Sequence, residues 1–194
     1  MLAIALLGAG AYDRFGNYLK EHLSLILASS DGMAPSFLAA NLGKRSLTLD
    51  LKNPKAKEIV HKLVAEADVL VENFKPGTIE RLGFGFEAMK AIKPDLVYAS
   101  ISGFGQTGPR ANLPAFDGAI QAYSGMMSIS GHAETGPVRS GYFSVDMSTA
   151  LNAAFAITAA LLRRTNTGEG QRVDVSMLDT AMFMQSPQMT GYLV

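Results

Sequence analysis

The sequence predicts an α/β fold, an open and mainly parallel sheet flanked by helices. Three observations carry this. Short β-rich runs recur at "DVLVEN" (68–73), "DLVYASIS" (95–102) and "RVDVSM" (172–177). Stretches of helical periodicity separate them. The first two runs are of the type found in buried parallel strands, and strands alternating with helices mean parallel β-α-β units. With 194 residues the chain is long enough for one domain with a core, and no internal repeat or linker divides 1–194.

The elements follow in order. The first forty residues are irregular. "MLAIALLGAGA" sets a short apolar run before Ala9, Gly10 and Ala11, as a signal peptide would, but it lacks the positive n-region. It is also too short to span a bilayer. "GAGAYDRFG" fails the dinucleotide pattern G-x-G-x-x-G, because position 13 is Asp and the next glycine is Gly16. "SLTLDL" (46–51) alternates like a strand. Asn53 and Pro54 form a cap and first-turn pair for a helix over "KAKEIVHKLVAEA". Ile59, Leu63 and Ala67 share one face of it, with Val60 and Val64 beside them. Phe86 to Ile92, 115–127 and 147–164 read as helices, and Gly168 and Gly170 end the last of these. In such sheets ligands lie beyond the carboxyl ends of the strands, so the loops after Glu72, Ser102 and Met177 are the candidates.

Composition narrows the function. Lys and Arg number 17, Asp and Glu 17, and charged residues make up 18% of the chain. A neutral chain without a basic cluster argues against nucleic acid. The absence of cysteine excludes a disulfide framework, a thiolate metal site and a Cys nucleophile, and fits the cytoplasm. His22, His61 and His132 lack ligand spacing, so no metal is expected.

Four stretches carry candidate chemistry. In "VENFKPGTIERLGF" (71–84) Asn73 offers an amide, and Pro76 and Gly77 turn the chain into a helix carrying Arg81. The helix start, with Lys75 and Arg81, suits anionic phosphate; a β-α turn with solvated cations is the plainer reading. "SISGFGQTGPR" (100–110) places Gly103, Gly105 and Gly108 after a strand, either for close approach to a ligand or for a tight path. In "PAFDGAIQAYSG" Asp117 stands at a helix start, where capping is its ordinary role. Asp174 and Asp179 suit surface or local hydrogen-bond positions. The fourth is "YFSVDMSTALNAAFAITAALL" (142–162), whose one charged side chain is Asp146; no other acid lies between Glu134 and Glu169. Asp146 suits the N-cap of the following helix, worth about 1 kcal/mol. It also suits a nucleophile, because a helix N-terminus keeps a carboxylate ionised and carboxylates form covalent intermediates.

Together, "NLGKRSLTLDLKNP", "ADVLVENFKPGTIERLG", "PDLVYASISGFGQTGP", "FDGAIQAYSG", "RSGYFSVDMSTA" and "RRTNTGEGQRVDVSMLDTAM" resemble the family III CoA-transferases, the group of formyl-CoA and carnitine CoA-transferases and α-methylacyl-CoA racemase. The resemblance runs over about residues 35–184, after a divergent lead-in at 1–34. It implies a Rossmann-like sheet and transfer of CoA between carboxylic acids, with acyl-CoA as substrate and no prosthetic group. It places Asp146 at the family's nucleophile, which attacks the thioester to form an anhydride and then an enzyme–CoA thioester. The family's CoA contacts fall on Leu49, Lys52, Asn73, Phe74, Lys75, Arg81, Ala115, Phe116, Asp117 and Met177. Racemases of the family place a proton-transferring His where this chain has Phe116, which favours the transferase over a racemase-like enzyme.

The resemblance also implies a longer chain. Family members open with a strand and glycine turn that help hold the nucleotide, and that first β-α unit is expected to be missing here. The family's small domain and returning C-terminal segment, on which its interlocked homodimer depends, lie beyond "MTGYLV". The expectation is an incomplete large domain, with a non-catalytic remnant or partner subunit as the competing reading. Apolar surface left open should then promote association.

Overall fold

Backbone hydrogen bonding assembles the β-rich runs into one sheet. The computed structural model describes residues 3–6 and 35–194. Its sheet has four strands, β1 (Ala3–Leu6), β2 (Val69–Glu72), β3 (Val97–Ser102) and β4 (Gln171–Ser176), ordered in space as in sequence. All pairings are parallel, with Ala3 opposite Val69, Val69 opposite Val97 and Val97 opposite Gln171. A strand, β1, is therefore contributed by the lead-in, ahead of the strand read at 68–73. His22 and the rest of the lead-in before Pro35 lie outside the described residues.

The period of two in the strands sorts side chains onto two faces. Leu70 and Tyr98 point to one face, where they pack with Val60, Val64, Ile79, Phe84 and Met89. These come from α2 (Pro54–Glu66), α3 (Thr78–Leu82), α4 (Phe86–Ile92) and the turn between α3 and α4. Val69, Val97, Ala99, Val173 and Val175 point to the other face, against Ala153 and Ala160 of a long helix. A short helix, α1 (Pro35–Asn41), precedes these, and α5 (Asp117–Tyr123), a 3-10 turn (Met126–Ile129), α6 (Ser144–Thr167), α7 (Met177–Met184) and α8 (Ser186–Leu193) complete the chain.

Local signals fix several boundaries. Asn53 caps α2, its side chain accepting the Lys55 N–H at 2.9 Å, with Pro54 at the first helical position. Gly168 ends α6 in the left-handed conformation at φ 72°, where glycine avoids a Cβ clash. Gly170 permits a close crossing, since a Cβ there would lie 2.2 Å from the Leu96 carbonyl oxygen.

Three expectations change. "SLTLDL" is not a strand: it finds no ladder partner, and its alternation serves only to set Leu49 and Leu51 against the first core cluster. The inner face of α2 is Ala56, Val60 and Val64, one residue round from the predicted stripe, which leaves Ile59 40% exposed. The helix expected over 115–127 breaks at Ser124, where Gly125 (φ 80°) opens the 3-10 turn.

The long helix also begins earlier than its sequence suggests. It starts at Ser144 rather than Met147, so Asp146 is its third residue and Phe143 the N-cap. Asp146 is therefore not the cap. By length and composition α6 could cross a bilayer, yet its Ala153 and Ala160 side packs on the sheet.

Candidate active site

The carboxyl ends of the strands feed the loops where the candidate residues gather. At the end of β2, Glu72 is buried, and its Oε2 accepts the Phe74 N–H at 2.9 Å. Burial raises the Glu72 carboxyl above its ordinary value, against that hydrogen bond. The contact bends the chain at Asn73, whose Nδ2 donates to the Ile101 carbonyl at 2.7 Å and ties the end of β2 to β3. Phe74 and Leu49 each pack against the first core cluster. Lys75 is exposed, and Gly77 (φ 76°) starts α3. Arg81, also exposed, donates from Nη2 to the Thr78 hydroxyl at 2.9 Å. Lys52 stands in solvent after the 46–51 segment, its backbone N–H donating to Asp50 at 3.1 Å.

After β3 the glycine-rich loop crosses to a second group. A Cβ on Gly103 would lie 2.0 Å from Ala115 Cβ, so its tight path has a structural cause. The Gly103 carbonyl accepts the Leu178 N–H at 2.9 Å, which draws the start of α7 to the same place. Gly105 and Gly108 have positive φ, and the Gln106 N–H reaches the Asp174 carboxylate at 3.3 Å. A third core cluster holds Ile120, Met126, Val145, Met177 and Ala181, with Ala115 packed against it. Ala115, Met177 and the first turn of α6 are thereby brought together. Phe116 caps α5 by backbone only and is 63% exposed.

Asp146 sits at this junction. It is exposed to solvent, and among the described residues its carboxyl makes no hydrogen bond or ion pair. Nearby protein nonetheless desolvates it, and the Asp117 carboxylate adds like-charge repulsion. The two together raise its carboxyl to about 6. The acid that is isolated in sequence is not isolated in space.

Asp117 has the opposite environment. It is 5% exposed, and its Oδ2 accepts the N–H groups of Val145 at 2.8 Å and Asp146 at 3.0 Å. Its Oδ1 accepts from Gln121 Nε2. Gln121 is fully buried; Nε2 also contacts the hydroxyls of Ser140 and Ser144, and Oε1 accepts the Ser140 N–H at 2.9 Å. The sequence reading did not single out Gln121, Ser140 or Ser144. The four-residue spacing from Asp117 to Gln121 on a helix was the available signal.

These residues form two groups along one edge. Phe74, Lys75 and Arg81 follow the end of β2, with Leu49 packed on the same core cluster as Phe74, while Ala115, Asp117, Met177 and Asp146 lie beyond β3 and β4. Such an edge offers cations for an anion at one end and a free carboxylate at the other. No group of three or more His, Asp or Glu side chains converges among the described residues. An open recess of about 270 Å³ between the 3-10 turn and α8 contains none of the candidate residues.

Comparison with known proteins gives a consistent result. The sequence model of CoA-transferase family III matches residues 17–194. The succinate–glutarate CoA-transferase of Agrobacterium fabrum is 39% identical over 169 residues, covering 86% of this chain and 42% of that protein. The formyl-CoA:oxalate CoA-transferase of Streptomyces avermitilis is 43% identical over 141 residues, covering 73% of this chain and 34% of that protein. A solved CAIB/BAIF family protein from Brucella suis aligns with a TM-score of 0.81 at 39% identity, covering 86% of this chain and 45% of its own. The chain spans less than half the length of each of these three relatives.

Proposed function

The chain belongs to CoA-transferase family III, and from that premise we propose that it takes part in moving CoA between carboxylic acids, with Asp146 as the covalent nucleophile. The observation that carries the reading is the Asp146 carboxyl itself. It is reachable from solvent and unpartnered among the described residues, on the first turn of a long helix beyond the strand ends. With its carboxyl raised to about 6, it is about nine-tenths ionised at pH 7 and more basic than an ordinary aspartate.

The steps balance without a proton donor. A carboxylate oxygen of Asp146 attacks the thioester carbonyl, the C–S bond breaks, and an acyl–aspartyl anhydride and CoA thiolate result. The thiolate then attacks the Asp146 carbonyl carbon and expels the donor as a free carboxylate, leaving an aspartyl–CoA thioester. An acceptor carboxylate attacks that thioester and releases thiolate, giving a second anhydride. Thiolate attack on its acceptor carbonyl forms the new acyl-CoA and frees Asp146. Positioning and a desolvated nucleophile supply the acceleration.

Coenzyme A would lie along the strand ends. Lys75 and Arg81 suit its phosphates, and exposed Lys52 is a further candidate cation. Leu49, Asn73 and Phe74 shape the turn that presents those cations. Ala115, Phe116, Asp117 and Met177 border the thioester end. Phe116 offers no proton-transfer group, which disfavours racemisation. The relatives' names support transfer as the reaction class, and the balanced charge and α/β family fit a cytoplasmic place. A homodimer of the family's kind is part of the same proposal. The competing reading is a CoA-binding remnant or partner subunit that keeps the fold without turnover.

Intact-protein mass spectrometry after incubation with acyl-CoA, followed by hydroxylamine, tests the nucleophile. A CoA-sized or acyl-sized adduct that hydroxylamine removes and Asp146→Ala lacks is the expected result. A folded wild type with no adduct sinks the nucleophile claim for this chain and leaves the remnant or partner-subunit reading.

A further inference from the structure

The first turn of α6 has no cap of its own. Phe143, at the N-cap, has no side-chain oxygen and makes no side-chain cap bond. A helix start normally needs an acceptor for the N–H groups at its second and third positions. Here those are Val145 and Asp146, and both donate to Oδ2 of Asp117, which lies 28 and 29 residues earlier on another helix.

We infer that Asp117 is a positioning residue, capping α6 from α5 and thereby fixing the backbone that presents the Asp146 carboxyl. The inference rests on the proposed role of Asp146 and adds a distinct role for the Asp117 side chain. Both Asp117 oxygens are engaged by protein, and the residue is 5% exposed, so its carboxylate is not available to a ligand. The role left for Asp117 against CoA is its backbone.

A second observation points the same way. Gln121, one turn along α5 from Asp117, locks the segment that leads into α6. Its Oε1 holds the Ser140 N–H, and its Nε2 lies 2.8 Å from the Ser140 hydroxyl and 3.1 Å from that of Ser144. The Ser140 hydroxyl in turn lies 3.0 Å from the Tyr142 carbonyl. An amide nitrogen has two hydrogens, so Asp117 takes one and the two serines, 2.9 Å apart, share the other. Approach loop and helix start are thus held from a single surface of α5. A turn supported in this way presents a reactive group within a narrow range of positions, as proximity catalysis requires.

The decisive variants are Asp117→Ala, which removes the acceptor, and Asp117→Asn, which keeps an oxygen acceptor without the charge. Single-turnover adduct formation is measured against acyl-CoA concentration in the full chain. For Asp117→Ala the expected result is a maximal rate down by about tenfold or more, with half-saturation moved less than about threefold. Asp117→Asn should recover most of that rate. A ligand contact would instead raise the half-saturating concentration and spare the maximal rate, and that result overturns the inference.

Amide hydrogen exchange at Val145 and Asp146 reads the cap without relying on chemistry. Both amides should exchange faster in Asp117→Ala, and unchanged exchange overturns the inference. Should Asp117→Ala fail to fold, carboxyl-carbon NMR of Asp117→Asn decides. The Asp117 carboxylate repels the charge on the Asp146 carboxyl, so the Asp146 midpoint should fall, and an unmoved midpoint refutes the contact. If the wild type forms no adduct, the nucleophile reading fails, while exchange and titration still decide the role of Asp117.

Discussion

Lowering the pH from 7 to 5 is expected to slow adduct formation at Asp146 by about tenfold, through protonation of the nucleophile alone. With its carboxyl raised to about 6, Asp146 is about nine-tenths ionised at pH 7, half at pH 6 and about one-tenth at pH 5. An aspartate at its ordinary value of 3.8 would still be about nine-tenths ionised at pH 5 and would slow hardly at all. Desolvation is the larger cause and the Asp117 carboxylate the smaller. The assay is single-turnover labelling by saturating acyl-CoA, quenched and counted by mass, in buffers of constant ionic strength from pH 4.5 to 8. Saturation removes substrate binding from the profile. Circular dichroism at each pH confirms that the fold persists. A midpoint near 4 refutes the reasoning, because it places Asp146 in water like any surface acid. A midpoint above 7 also refutes it, since burial would then outweigh the solvent exposure seen in the structure.

Further outcomes follow from other contacts. The raised Asp146 carboxyl binds its proton more tightly in the folded than in the unfolded chain, so its contribution to stability falls as pH rises from about 4 through about 6. Asp146→Asn should therefore stabilise the chain more at pH 8 than at pH 4 by thermal melting, and an equal effect at both contradicts the shift. At the far end of α6, Arg164 pairs with Asp68 at 2.7 Å and reaches the Asp68 and Asp95 carbonyls. Arg164→Ala should cost about 2 kcal/mol in urea unfolding, as a part-buried charged hydrogen-bond group. The fraction of folded protein that labels at pH 7 should not change. Arg81→Ala should weaken acyl-CoA binding by about tenfold by calorimetry if the guanidinium meets a phosphate; unchanged affinity removes Arg81 from the site. Leu151, Phe155 and Leu162 are each at least 65% exposed along α6, an open apolar stripe. Light scattering should show association of the isolated chain that Phe155→Glu reduces, and a monodisperse wild-type monomer would count against it.

Local chemistry was legible where neighbours in sequence are neighbours in space. Asn53 and Pro54 start α2 through a contact two residues away, and Gly168 ends α6 through its own φ. The strands at 69–72 and 97–102 could be read because burial on both faces leaves continuous β-rich runs, and the strand at 171–176 because exposed Arg172 and Asp174 alternate with buried Val173 and Val175. "SLTLDL" misled because alternation reports which side of a segment is apolar, and a strand also needs a partner to accept its hydrogen bonds. The candidate residues around Asn73 and Asp146 were named from motifs, which do not state what each side chain touches.

The sequence by itself determined the strands at 69–72, 97–102 and 171–176, the family's motifs, and an acid at the start of the long helix. Tertiary structure decided that Asp146 is the third residue of that helix and not its cap, and that the cap comes from Asp117. It also decided that the two acids meet, which raises one and commits the other to backbone N–H groups. The reason is physical. Desolvation and like-charge repulsion depend on distance through space, and a separation of 29 residues along the chain carries no information about either until the two helices have packed together.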